Sequence, residues 1–326
     1  MKVVLLASDI AMPVFKKLVE SKYEVVAVVC QPDKPNGRNN KVEFSEVKKF
    51  ALSQNIKVLQ YNKIRLEGVE DIKNLAPDFL LCAAYGQIIS QELIDIPKYP
   101  TLNVHPSLLP KYRGPSPIIT PILNGDRKTG VAIMEMVYDF DAGPIYALNE
   151  VEIKENETAG ELSERLFSLG GDMLLKVMDD VAQGVAIKQE QDHESATYCK
   201  MVKKEMAKLD FSKSCETLNQ MVRAYNPTPV AYFEYDGSAF KVYKSEIAIE
   251  GSSKYANICT YLERNNFENG EIVFSKAKPF GLVIKCENGF FIPSIIQAPG
   301  GKIMDIKSYL NGKSFEVGKR IWKKFY

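Results

Sequence analysis

Lys2-Val-Val-Leu-Leu-Ala7, Tyr23-Glu-Val-Val-Ala-Val-Val29 and Asp78-Phe-Leu-Leu-Cys-Ala-Ala84 are near-continuous apolar runs. A strand with one wet face alternates apolar and polar residues, whereas unbroken runs belong to parallel strands buried on both faces. Amphipathic segments such as Val14 to Leu18 and Phe44 to Leu52 lie between them. Alternating β and α segments imply an α/β domain on a doubly wound, mostly parallel sheet. The loop after the first run, Ser8-Asp-Ile-Ala-Met-Pro13, has no glycine, so the dinucleotide fingerprint G-x-G-x-x-G is absent. No G-x-x-x-x-G-K-[ST] phosphate loop occurs either, which argues against hydride transfer and nucleotide hydrolysis.

The next extended run, Pro100-Thr-Leu-Asn-Val104, leads directly into one of only two histidines, His105. Asn103 and His105 are two residues apart, so on an extended chain they share a face and can reach one substrate atom. Ser107-Leu-Leu-Pro-Lys-Tyr-Arg-Gly-Pro-Ser-Pro117 follows, with three prolines and a glycine that forbid regular structure and fix an irregular loop. In open α/β sheets the carboxyl ends of strands are where ligands bind. About 30 residues on, Met136-Val-Tyr-Asp-Phe-Asp-Ala-Gly143 offers two acidic residues, Asp139 and Asp141, either of which could orient an imidazole.

Length and composition set the frame. The chain has 326 residues, 45% hydrophobic and 25% charged, as expected of a globular protein of two domains. No apolar run of about 18 residues occurs, and Met1-Lys-Val-Val-Leu-Leu-Ala7 is too short for a signal-peptide core, so the expectation is a cytoplasmic protein with no membrane contact. The six cysteines have no C-x-x-C spacing and the histidines do not cluster, so reduced structural thiols and no metal are expected. The net charge of +1 hides an asymmetry, since residues 207–326 carry net +5 and residues 1–206 net −4. A basic C-terminal part suits a polyanionic partner.

Thr158-Ala-Gly-Glu161 has the form of a capping box, and the helix it opens is expected to break at Gly170-Gly171 and end at Gly184. Residues 190–206 are polar, with His193 in a solvated stretch and a local basic excess, and read as a linker. After a helix carrying Leu218, Met221, Val222 and Tyr225, the hydrophobic period changes to two. Asp236-Gly237 and Asn288-Gly289 mark hairpins of a small β domain. The expected boundaries are 1–189 for the first domain, 190–206 for the linker and 207–326 for the second domain.

Asn103-Val-His105 with Ser107-Leu-Leu-Pro-Lys-Tyr-Arg-Gly114, together with Asp141-Ala-Gly143, resembles the two motifs of the 10-formyltetrahydrofolate-dependent formyltransferases. The resemblance spans nearly the whole chain and is nearest to members acting on methionyl-tRNA. It implies a Rossmann-like formyltransferase domain followed by an OB-like barrel that binds tRNA, with Asn103, His105 and Asp141 as the catalytic set. It also implies that the formyl group of 10-formyltetrahydrofolate passes to the α-amino group of initiator methionyl-tRNA, in a monomer without a metal. It puts the pterin against the backbone of Gln87, Ile88 and Ile89 and against Tyr138, with Ser107, Leu108, Leu109 and Pro110 lining the same pocket. Lys34, Arg38 and Lys41 in the Gln31 to Lys41 loop would meet the tRNA acceptor end. Chemically, transfer through a tetrahedral oxyanion needs an oxygen-facing donor, a proton carrier and a group that orients it. Two other classes compete: formyl transfer to a nucleotide-linked amino sugar, and a non-catalytic RNA-binding protein on an enzyme scaffold.

Overall fold

In the computed structural model, residues 1–33, 35–36 and 41–321 are described, with backbone alone at 35, 36, 41 and 42. Lys34 and Arg38 therefore lie outside the described residues, and the side chain of Lys41 does as well. The chain divides into two compact units, the first made of Met1–Ile118, Lys128–Ile153 and Glu161–Met201, the second of Ile119–Arg127, Lys154–Gly160 and Val202–Tyr326.

The first unit holds β1 (Lys2–Ala7), β2 (Glu24–Cys30), a two-residue pair β3 (Pro35–Asn36) and β4 (Lys41–Val42), β5 (Lys57–Gln60), β6 (Phe79–Ala83), β7 (Leu102–His105), β8 (Lys128–Glu135) and β9 (Ile145–Glu152). Seven of them form one sheet in the order β5-β2-β1-β6-β7-β8-β9. Pairing is parallel from β5 to β7 and antiparallel from β7 through β9. The apolar runs are buried on both faces, as their composition requires. Val4, Leu6, Ala27, Val29, Leu80 and Cys82 pack on Ile64, Ile72, Leu93 and Ile94 from the short helices of one side. On the other side the helix Met12–Val19 buries Val14, Phe15 and Leu18, and Phe15 meets Phe50 edge-on at 5.1 Å.

The helix Ala159–Gln183 is continuous, correcting the expected break at Gly170-Gly171. Its glycines serve contact rather than interruption: a Cβ at Gly170 would stand 2.5 Å from a methyl of Val104 and 3.1 Å from one of Val131. The helix cost of a glycine, about 1 kcal/mol against alanine, is offset by bringing the helix onto β7 and β8.

The second unit is antiparallel: β10 (Ala231–Tyr235), β11 (Ser238–Ile249), β12 (Ile272–Lys276), β13 (Gly281–Cys286), β14 (Gly289–Gln297) and β15 (Ile303–Asp305), ordered β10-β11-β14-β13-β12 with β15 on β14. Its core joins Phe211, Phe233, Phe291, Leu218 and Val222. The helix Ile119–Asn124 adds Ile119 and Leu123 to that core, which is why a segment inside the first motif region belongs to this unit. Asp236 and Gly237 turn the first hairpin with φ of +50° and +70°. The second hairpin turns instead at Glu287-Asn288, and Gly289 is the first residue of β14, where a Cβ would strike the Ala248 carbonyl at 2.3 Å and Cys215 Sγ at 2.7 Å. All six cysteines are buried and free of disulfides. Among the described residues no helix is long and apolar enough to cross a membrane, and no group of three or more metal-ligating side chains is found.

Candidate active site

β7 is the last parallel strand and the first with an antiparallel neighbour, so its carboxyl end lies at a change of sheet direction. Asn103 pairs with Cys82 and Met134, and His105 with Ala132. The chain then folds back, and Leu109 packs on Ala132 and Met134. Leu108 reaches Gly130, where a side chain would meet its Cδ2 at 2.4 Å. Ser107 donates its hydroxyl to the Lys111 carbonyl at 2.6 Å, closing the loop on itself.

That loop returns to the histidine. His105 is buried, and its Nε2 lies 3.1 Å from the Tyr112 carbonyl, to which it donates. Its Nδ1 lies 3.6 Å from Asp141 Oδ1, an ion-pair separation beyond hydrogen-bond reach. The other carboxylate oxygen of Asp141 accepts from the Gly114 N–H at 2.8 Å. Asn103 is half-buried and its amide has no hydrogen-bond partner among the described residues, so it is open to a ligand. Burial pushes the nearby Cys82 thiol up to about 12, which keeps it protonated and unsuited to nucleophilic attack.

Backbone conformation marks the same place. Ala84, Tyr112 and Asp141 have φ of +51°, +62° and +49°, and Gly114 has +108°. Left-handed non-glycine residues cost on the order of 1 kcal/mol each and persist where the surroundings over-determine them. For Tyr112, Gly114 and Asp141 the surroundings are residues 189–199. Thr197 accepts from the Tyr112 N–H through its hydroxyl at 2.9 Å, and its carbonyl accepts from the Arg113 N–H at 2.9 Å. The Cys199 N–H donates to the Arg113 carbonyl at 2.8 Å, and its sulfur accepts from the Ser116 N–H at 3.2 Å. Arg113, fully buried, gives two hydrogen bonds to Gln191 Oε1 and has His193 Nδ1 at 3.1 Å. A segment that reads as a solvated linker is therefore a strap over the motif loop, and His193, placed by the sequence in a solvated stretch, contacts the motif arginine.

The residues expected at the pterin fall into three environments. Gln87 spends its side chain on the chain itself, accepting from the Ile64 N–H at 2.9 Å and donating to the Tyr61 carbonyl at 2.9 Å. Its amide also meets Gln31, whose own amide donates to the Tyr85 carbonyl at 2.8 Å, so the end of β6 is held from both sides. Ile88 is 52% exposed and Tyr138 72% exposed, whereas Ile89 and Leu109 are buried. Pro110 is half-buried. The contributions that the sequence does not announce are the Tyr112 carbonyl, the Gly114 N–H and the Gln191 amide. The first two sit in the motif but act through backbone, and Gln191 carries no local signal.

The chain matches the family described as formyl transferase over residues 1–178 and the formyl transferase C-terminal domain over residues 201–314. By these matches and by its fold, the chain belongs to the formyl transferase family. It is 40% identical over 315 residues to the methionyl-tRNA formyltransferase of Sulfurihydrogenibium sp. (strain YO3AOP1), covering 96% of each chain. With that of Clostridium novyi (strain NT) it shares 38% identity over 320 residues, covering 97% of this chain and 98% of the other. At that likeness over nearly all of both chains it stands among the methionyl-tRNA formyltransferases of the family. A crystal structure of WlaRD, a sugar 3N-formyl transferase with dTDP and 5-N-formyl-THF, superposes with a TM-score of 0.62 at 23% identity, covering 92% of this chain and 98% of that one, and shows the likeness of fold.

Proposed function

We propose that the chain transfers the formyl group of 10-formyltetrahydrofolate to the α-amino group of initiator methionyl-tRNA in the cytoplasm. The observation that carries this reading is the convergence at the β7 end of an unpartnered Asn103 amide with a His105 ring set between the Tyr112 carbonyl and Asp141. The amine attacks the formyl carbon, forming a C–N bond and placing negative charge on the formyl oxygen. Asn103 donates to that oxygen, in the manner of an oxyanion hole. His105 carries the proton given up by the amine to the departing folate nitrogen as the old C–N bond breaks, so protons balance and no covalent enzyme intermediate forms. Asp141 holds the ring and balances its charge while it carries that proton.

In the same reading, Ser107, Leu108, Leu109, Pro110, Gln87, Ile88, Ile89 and Tyr138 form the folate pocket, and Lys34, Arg38 and Lys41 engage the acceptor end. The protein acts as a monomer and needs no metal. The test is formyl transfer to charged initiator tRNA measured beside dTDP- and UDP-linked amino sugars with the same donor. Transfer to the sugar and none to methionyl-tRNA would overturn the reading.

A further inference from the structure

Four hydrogen bonds converge on one amide. Gln191 is buried, and its Oε1 accepts from Arg113 Nε at 3.0 Å and from Arg113 Nη2 at 2.7 Å. Its Nε2 donates to the Asp141 carbonyl at 2.9 Å and to the Gly143 carbonyl at 2.6 Å. An amide has two lone pairs and two N–H hydrogens, so its capacity is filled. What it joins is specific. Arg113 stands between Tyr112, whose carbonyl takes the His105 hydrogen bond, and Gly114, whose N–H holds Asp141 Oδ2. On the other side are the carbonyl of Asp141 itself, at φ +49°, and that of Gly143. Position 143 has no room for a side chain, because a Cβ there would lie 2.0 Å from the Glu135 carbonyl oxygen. The two contacts that fix His105 and Asp141 are thus spanned by a single side chain about 50 residues further along the chain.

We propose that Gln191 is a positioning residue: its amide fastens the Asp141 turn to the Tyr112-Arg113-Gly114 segment and so sets the His105 to Asp141 distance on which formyl transfer depends. The inference rests on the catalytic reading of Asn103, His105 and Asp141. A carboxylate at 191 could still accept from Arg113, but would have no hydrogen for the two carbonyls and would repel both. Gln191→Glu therefore keeps the buried guanidinium satisfied while releasing the Asp141 turn. Gln191→Leu removes both halves and leaves Arg113 short of an acceptor.

The experiment compares both variants with wild type by steady-state formylation of methionyl-tRNA, a pH profile of kcat, thermal unfolding and proton NMR of the imidazoles. With only two histidines in the chain, His105 and His193 give two resolvable C2–H signals. A misplacement of up to an ångström at a catalytic group costs up to ~10²-fold, so Gln191→Glu is expected to lower kcat by about that factor. KM for both substrates stays at the wild-type value, the pH profile moves, and the His105 signal shifts. If the leucine variant does not fold, the glutamate variant carries the test alone. Wild-type kcat in folded Gln191→Glu, or a raised KM with kcat intact, would overturn the proposal. Activity surviving in His105→Ala or Asp141→Ala would instead overturn the site reading. Inactive His105 and Asp141 variants beside a fully active Gln191→Glu would defeat this inference alone.

Discussion

Gly114→Ala separates the geometry of the site from its chemistry, because it removes no functional group. Gly114 has φ +108°, and an added Cβ would lie 2.7 Å from the Cys199 carbonyl oxygen, against ordinary contact from 3.4 Å. The loop must move by about 0.7 Å, or the strap must, and both movements disturb the 2.8 Å bond from the Gly114 N–H to Asp141. Backbone strain at such a φ costs on the order of 1–3 kcal/mol. That amounts to a thermal shift of roughly 2–4 °C per kcal/mol for a unit of this size. The catalytic effect is expected to be larger than stability alone explains, a fall in kcat of up to ~10²-fold. Gly184→Ala is the control: Gly184 has φ +72° with open space around its Cβ position, so it suffers strain without displacement. Single-turnover formylation with saturating methionyl-tRNA and donor, alongside thermal unfolding, gives both quantities. A Gly114→Ala enzyme destabilised like the Gly184 control but turning over at the wild-type rate would refute the link between the Gly114 contact and the chemistry.

Asn103→Ala, His105→Ala and Asp141→Ala are each expected to cut kcat by ~10²–10³-fold without unfolding the chain, and the double change at 103 and 105 should cost far less than the product of the singles; full multiplicativity in kcat would count against a shared transition-state role. Arg38→Ala should raise KM for methionyl-tRNA and leave tetrahydrofolate affinity, measured by calorimetry, unchanged. In acid, Lys48 and then Gln60 hold the Asp33 carboxyl below the usual carboxylate range, so its stabilisation is complete above that range and is lost as pH falls through the lowered value; thermal midpoints of Asp33→Asn should show a smaller acid loss than wild type. Lys319 is paired with Asp236 at 2.6 Å and Arg320 with Glu268 at 2.6 Å, whereas exposed Lys276, Lys278 and Lys302 have no ion-pair partner among the described residues. Alanine at one of these three that meets a phosphate should lower the salt slope of tRNA binding by ~1, and alanine at 319 or 320 should change it less; the reverse order would move the polyanion face elsewhere.

Much of the fold is legible because burial on both faces leaves a compositional mark. Val3 to Ala7 and Phe79 to Ala83 are buried throughout and read as unbroken apolar runs. The misread places are those where a residue type serves two ends. Gly170 and Gly289 look like a break and a turn, since glycine does both, yet each makes room for a neighbour distant in sequence: Val104 for the one, Cys215 and Ala248 for the other. Nothing local separates a glycine required by its own φ from one required by the approach of a distant segment of the chain. The helix Ile119–Asn124 likewise gives no sign that it joins the core of Phe211 and Leu218.

The candidate site divides along the same line. Asn103 and His105 are legible because strand periodicity alone places them on one face, and the proline-rich loop behind them announces a fixed end. Asp141 is only half legible: Asp139 is chemically its equal, and in the sequence the resemblance alone prefers Asp141, whose carboxylate accepts from the Gly114 N–H at 2.8 Å from 27 residues away. Arg113 is visible as a residue but hidden as a role, because a buried arginine acts through whatever accepts its hydrogen bonds. That acceptor is Gln191, in a stretch whose polarity is the ordinary mark of a linker. Two of its polar side chains, Gln191 and Thr197, meet backbone groups of the Asp141 turn and the motif loop, and a buried backbone group demands such partners wherever they come from. A polar segment after the last helix of the first unit is thus a candidate strap whenever the loops it could reach hold left-handed residues, as Tyr112 and Asp141 do here.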